Sequence, residues 1–79
     1  MTDTDILQEK IEKSGLKLSY IAKEMCISRT SLYKKIRNQT PFDQYEIDDL
    51  CNVLGITLTE KELIFFGNDV NKNDYINKT

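Results

Sequence analysis

Residues 28–39 of the chain, which read SRTSLYKKIRNQ, hold a dense set of cations and hydrogen-bond donors. They contain four cations, Arg29, Lys34, Lys35 and Arg37, and no anion. A surface helix in a net-negative protein normally mixes charges of both signs, because residues four apart then attract each other. Like charges on one surface repel, so this segment predicts a binding site for an anionic partner.

Helical spacing would bring the chemistry of this segment to one side. A helix advances about 100° per residue, so positions i, i+3, i+4 and i+7 share a face. Those positions are occupied by Thr30, Tyr33, Lys34 and Arg37, which we call the polar stripe. Leu32 and Ile36 lie on a different face of the helix and can enter a core. A basic face that is merely solvated remains the alternative.

The charge of the chain is unevenly distributed. The net charge is −2 and the pI is near 5.0, which argues weakly against nucleic acid as a partner. Residues 17–41, however, carry six cations and one anion, whereas residues 42–79 carry three cations and eight anions. A basic patch between acidic flanks keeps a nucleic-acid partner open.

Composition limits the class of protein. A chain of 79 residues with 39% hydrophobic and 30% charged residues predicts a single soluble globular domain with a small core. No apolar run reaches the length of a membrane span, and the first residues lack the features of a signal peptide. We therefore expect a cytoplasmic protein and no membrane partner.

The sequence offers few residues that could bind a metal or catalyse a reaction. The chain has no histidine, and its two cysteines, Cys26 and Cys51, form no zinc pattern. Both are expected to be reduced, semi-buried thiols. With no glycine-rich phosphate loop and no base placed beside a nucleophile, an enzyme is disfavoured. We expect no cofactor, no metal and no small-molecule ligand.

Periodicity and capping signals predict five helices and no strands. The first covers about residues 4–14 and stops at Gly15, and a short second helix covers about residues 20–25. The third begins after Ser28, a good N-cap, and runs to about residue 38.

The last two helices are predicted from capping boxes. Asp43 and Glu46 open the fourth helix, which Gly55 ends. Thr59 and Glu62 form a similar pair that predicts the start of the fifth helix, running to residue 66. Residues 68–79 are asparagine-rich and are expected to be a flexible polar tail to a domain of residues 1–67.

Residues 18–37 resemble the helix-turn-helix of Cro- and XRE-type phage and bacterial regulators. The positions that carry this resemblance are Ala22, Ile27, Ser28, Leu32 and Ile36. The layout of the later helices also follows the family, so the resemblance covers about residues 4–66 and implies a compact, all-α, five-helix lambda-repressor-like fold. Two positions depart from the pattern: Cys26 replaces the usual turn glycine, and Lys17 replaces a threonine or serine cap.

The resemblance implies a sequence-specific regulator that binds a double-stranded DNA operator, as in Cro-like repressors of phages and prophages. The third helix would then enter the major groove. Expected base contacts are Arg29, Thr30, Tyr33 and Lys34. Expected phosphate contacts are Lys17, Ser28, Arg37, Asn38 and Gln39.

One such domain covers little DNA, so a homodimer on an inverted repeat is expected. Ile64, Phe65 and Phe66 are the predicted dimer interface, because three consecutive apolar residues cannot all face one small core. The alternative is that two of them are core residues and one is merely exposed.

A second function remains open. The chain could be an antirepressor or inhibitor that keeps the helix-turn-helix fold but binds another phage or host regulator, which its low pI favours. Binding to DNA should weaken steeply with salt, whereas apolar binding to a protein should not.

Overall fold

The computed structural model describes residues 2–67 and contains five helices within that range. They are α1 (Thr4–Ser14), α2 (Leu18–Glu24), α3 (Arg29–Ile36), α4 (Gln44–Leu54) and α5 (Leu58–Lys61), with α5 continuing into a π-helical segment, Glu62–Phe66. The described part of the chain has no strand, as predicted. The predicted tail lies outside the described residues. No helix among residues 2–67 is long and apolar enough to cross a membrane.

The core draws on α1 to α4 and on the π-helical segment, and α5 contributes no buried residue to it. Its most deeply buried side chains are Leu7, Ile21, Leu32, Leu50 and Ile64. Phe42, in the loop before α4, packs edge-on against Phe65 with ring centroids 5.5 Å apart. A domain of this size has little apolar surface to bury, so the position of each helix depends on a few such side chains.

The first two helices match the sequence prediction closely. Asp3 caps α1 by accepting a hydrogen bond from the Ile6 N–H at 3.2 Å, and Gly15 ends it at a φ of 70°. The second helix begins at Leu18, two residues earlier than predicted, with no side-chain cap from Lys17. Ala22 is buried on the side of α2 that faces the core, where a small residue allows close approach of a neighbouring helix.

The turn between α2 and α3 keeps a left-handed residue although no glycine is present. Cys26 adopts a φ of 59°. Its N–H donates to the Lys23 carbonyl at 3.1 Å, and the Ile27 N–H donates to the Ala22 carbonyl at 3.0 Å. These two bonds form a Schellman motif, so the turn keeps the geometry that glycine usually provides. Cys26 is exposed and only Cys51 is buried, so the expectation that both are semi-buried is wrong.

The third helix ends earlier than the predicted residue 38. Ser28 caps its start by accepting from the Ser31 N–H at 3.0 Å. At its end Asn38 takes a left-handed φ of 60°, and the Gln39 N–H donates to the Lys34 carbonyl at 2.9 Å. Asparagine tolerates this conformation better than most residues, so a second Schellman motif stops α3 at Ile36.

The capping box of α4 is confirmed, but that of α5 lies two residues before its predicted place. Asp43 and Glu46 cap α4 reciprocally. At α5, Thr57 and Glu60 form the box, so the prediction of Thr59 and Glu62 is wrong. The sequence contains two overlapping Thr-x-x-Glu pairs, and local spacing cannot choose between them. The choice is tertiary, because Glu60 also pairs with Lys10 of α1.

Candidate nucleic-acid interface

The polar stripe of α3 is exposed along its length. Thr30, Tyr33, Lys34 and Arg37 are all exposed, with Tyr33 at 46%. Leu32 and Ile36 are buried in the core. The helix therefore presents to solvent the donors and cations that its sequence pattern groups together.

The start of α3 offers further donors. The cap uses the Ser28 oxygen as an acceptor, which leaves the hydroxyl proton for another partner. Arg29 follows at the first helical position and is exposed. Unpaired N–H groups and the helix dipole also place partial positive charge at this end. The N-terminal half of α3 thus favours an anion both through its side chains and through its backbone.

The cations near this surface make no ion pair within the described range, whereas several others do. Arg29, Lys34, Arg37 and Lys17 have no carboxylate partner among residues 2–67. The paired cations are Lys10, Lys13, Lys35 and Lys61. The charge of the stripe is therefore not neutralised inside this part of the molecule and remains available for an anionic partner.

Two residues of the stripe also interact with each other. The guanidinium carbon of Arg37 lies 5.3 Å from the centroid of the Tyr33 ring. This separation is within the range of a cation–π interaction. The two side chains are one helical turn apart, the spacing at which residues on a helix meet.

The predicted phosphate contacts differ in how available they are. Lys17 and Gln39 are exposed. Asn38, although exposed, uses its side-chain amide to donate to the Thr2 carbonyl at 2.8 Å. Asn38 therefore ties the N-terminal segment to the loop after α3, and only its second amide proton remains for a phosphate.

Lys35 supports the site although it does not belong to the polar stripe. Its ammonium donates to the Pro41 carbonyl at 2.9 Å and pairs with Glu46 at 3.0 Å. These contacts fasten α3 to the loop that follows it and to the start of α4. No local signal predicts this role, because the partner lies eleven positions away beyond a loop whose path only the fold sets.

The residues predicted to form a dimer interface are mostly internal. Ile64 and Phe65 lie in the core, and only Phe66 remains partly exposed. The alternative, two core residues and one exposed, describes this arrangement. The apolar residues that do face solvent nearby are Leu58, exposed by 80%, and Leu63, exposed by 54%. The π-helical segment turns Leu63 outward and the next two residues inward.

Among residues 2–67, three titratable groups have shifted pKa values, and all lie on α4 or α5. The hydrogen bond from Lys10 lowers the pKa of Glu60 from 4.5 to about 2. The hydrogen bond to Asp48 raises the pKa of Lys61, and burial raises the pKa of the Cys51 thiol. These shifts belong to contacts that hold helices together. Among residues 2–67 no group of three or more carboxylates and thiols is placed to hold a metal ion.

Comparison with known proteins agrees with this geometry. The family model described as helix-turn-helix matches residues 7–61, which is more than half of the chain. Searches of curated proteins and of solved structures gave no match. The matched range includes most of α1, all of α2 to α5, the turn at Cys26 and the whole polar stripe. The chain therefore belongs to the Cro/C1-type helix-turn-helix family, also called the XRE family, of DNA-binding regulators.

Proposed function

We propose that the protein is a sequence-specific transcriptional regulator that binds an operator in double-stranded DNA, as Cro-like repressors of phages do. The observation that carries this proposal is the exposed polar stripe, whose cations have no ion-pair partner in the described range. In this mode α3 enters the major groove with its N-terminal half toward the base edges. No step of this activity requires catalysis.

The residues divide by position into two groups. Arg29, Thr30, Tyr33 and Lys34 are proposed to contact bases. A bidentate contact from arginine to guanine discriminates by about 1–3 kcal/mol against other bases, and the Thr30 methyl group suits a thymine methyl. Lys17, Ser28, Arg37, Asn38 and Gln39 lie at helix ends or in the following loop and are proposed to bind phosphates, which set orientation rather than specificity.

Selection from a random pool of duplex DNA tests the function directly. The wild-type protein should enrich one sequence, and an inverted repeat in it would support a dimer. Failure to enrich any sequence would contradict sequence-specific binding.

The two roles are separated by a pair of variants. Arg29→Ala should abolish the preference for the selected sequence over random DNA, because it removes a base contact. Lys17→Ala should weaken binding to both duplexes by a similar factor, because phosphates are present in every sequence. Titration of each variant with the two duplexes measures this, and the same pattern of loss in both variants would refute the assignment.

We also propose a homodimer, with the two recognition helices about 34 Å apart, one helical turn of DNA. The proposed interface consists of Leu58, Leu63 and Phe66. Of the three residues predicted from the sequence it keeps only Phe66, since Ile64 and Phe65 are buried. Exposed leucines on one short helical segment favour contact with an apolar surface of a second copy.

Leu63→Glu tests this interface, because a carboxylate in an apolar contact between two copies is unfavourable. The variant should lower the mass measured by analytical ultracentrifugation from dimer to monomer and weaken operator binding. Asn52→Glu, at an exposed position of α4, is the control and should leave the mass unchanged. An unaltered dimer in Leu63→Glu would place the interface elsewhere.

The same leucines and the pI of 5.0 favour a second candidate function, an antirepressor or inhibitor that binds another phage or host regulator. The salt dependence of binding separates the two. Each cation that displaces a counterion contributes about −0.9 to the slope of log K against log salt. A slope near zero with DNA would favour the protein-binding role.

A further inference from the structure

Tyr33 and Arg37 form a pair within the polar stripe in the absence of DNA. The Arg37 guanidinium carbon lies 5.3 Å from the Tyr33 ring centroid. No carboxylate among the described residues forms an ion pair with Arg37, although Glu12 lines the same cleft. The Tyr33 ring is the partner over which the guanidinium lies. The ring face carries negative charge density and attracts a cation above it.

The Tyr33 ring borders a cleft where three helices meet. It is about half exposed and lines a cleft of about 220 Å³ whose apolar wall is Ile11, Leu18 and Ile36. These three residues come from α1, α2 and α3, the helices that meet in the core. A tyrosine ring moves about only two side-chain torsions, so it has fewer alternative positions than an exposed arginine, which samples many rotamers.

We propose that Tyr33 is a positioning residue, whose ring holds the Arg37 guanidinium ready for a DNA phosphate. This inference rests on the proposed function, in which Arg37 binds phosphate. Ordering a long side chain on binding costs free energy, and a side chain that is ordered beforehand avoids part of that cost. The interaction uses the face of the ring, so the phenol hydroxyl stays free to contact a base edge.

The ring and the hydroxyl of Tyr33 should have separable effects on DNA binding. Loss of the ring should weaken binding to any duplex, because phosphate contacts do not depend on sequence. Loss of the hydroxyl alone should mainly reduce the preference for the selected sequence. A role for Tyr33 in base contact alone would tie both effects to the hydroxyl.

Titrations with a random-sequence duplex of about 30 base pairs, three helical turns, test the inference. Tyr33→Leu should lose about two- to fivefold in affinity, the range for an exposed cation–π contact. The slope of log K against log salt should become less steep in this variant, approaching the slope of Arg37→Ala. Tyr33→Phe, which keeps the ring, should retain more affinity than Tyr33→Leu. Adding Tyr33→Leu to Arg37→Ala should cause no further loss, because the ring then has nothing to position.

Tyr20→Leu is the matched control, since Tyr20 is similarly exposed at 48% but lies on α2 and outside the stripe. It should bind the random duplex as the wild-type protein does. Circular dichroism of each variant at the titration temperature establishes that the folded fractions are equal.

A second measurement requires no substitution and no DNA. Ring currents shift nuclei above an aromatic face upfield, so the side-chain protons of Arg37 should resonate upfield of those of Arg29 in the NMR spectrum of the wild-type protein. Equal shifts for the two arginines would overturn the inference. So would equal losses in Tyr33→Phe and Tyr33→Leu, or multiplying losses in the double variant. Absence of salt-dependent binding by the wild-type protein would instead refute the proposed function.

Discussion

Cys26 shows how a single residue can hold a turn in a conformation it does not favour. Its φ of 59° lies in the left-handed region, which costs an L-residue about 1–2 kcal/mol. The cost is offset by the two Schellman hydrogen bonds and by burial of Met25 on one side of the turn and Leu32 on the other. The exposed thiol has no packing role that would require cysteine.

At this position Cys26→Gly should stabilise the protein by about 0.5–1 kcal/mol, because relief of the left-handed strain exceeds the added entropy of glycine in the unfolded chain. Urea unfolding measures the change. Cys26→Ala is the control, since it removes the thiol but keeps the strain, and it should unfold close to the wild-type protein. A Cys26→Gly variant less stable than Cys26→Ala would show that the turn is not strained.

At the scale of a helix, capping determines where each element begins. Ser28, Asp43 and Thr57 each accept a backbone N–H at the start of a helix. Sequence reasoning identified the first two but chose Thr59 in place of Thr57. Both threonines precede a glutamate by three residues, so both satisfy the capping-box pattern. The outcome is that α5 begins at Leu58, and the π-helical segment that follows it presents Ile64 and Phe65 to the core.

This register predicts unequal effects at the two threonines. Thr57→Ala should lower the free energy of unfolding by about 1 kcal/mol, the usual cost of a lost N-cap. Thr59→Ala should change it by less than about 0.5 kcal/mol, because the side chain is exposed and caps nothing. Chemical denaturation of the two variants measures both, and a larger loss in Thr59→Ala would support the alternative register.

At the scale of the whole molecule, ion pairs join helices that are distant in sequence. Lys10 of α1 binds Glu60 of α5, and Lys61 of α5 binds Asp48 of α4 at 2.7 Å. These pairs fasten α5 to the rest of the domain on surfaces outside the polar stripe. Cations at these positions are thus neutralised within the fold, whereas those of the polar stripe have no ion-pair partner among residues 2–67.

The Lys10–Glu60 pair predicts a dependence of stability on pH. The folded state lowers the pKa of Glu60 from 4.5 to about 2, so the folded protein favours the ionised carboxylate. The resulting stabilisation is fully present above pH 4.5 and is lost as the pH falls toward 2. Thermal unfolding of the wild-type protein and Glu60→Gln should therefore differ near neutral pH and converge in acid.

Lys10→Met provides a matched test of the cause. Because the hydrogen bond from Lys10 is the largest contribution to the shift, stability in this variant should depend less on pH between 4.5 and 2 than in the wild-type protein. An unchanged dependence would assign the acid loss of stability to other carboxylates.

Much of the protein follows from local sequence. Helical periodicity and caps place α1, α3 and α4, because these signals act within a few residues. The polar stripe is equally local, since one helix turn fixes which side chains share a face. The separation of Leu32 and Ile36 from the stripe could be predicted for the same reason.

Only the tertiary structure decided what depends on distant partners. The start of α5, the direction of Ile64 and Phe65, the tie between Asn38 and Thr2, and the anchoring role of Lys35 all involve contacts across loops or between separate helices. A local pattern is satisfied equally by several arrangements of these residues. The fold selects one of them, because a small core has room for few side chains and each buried or paired group must find its partner there.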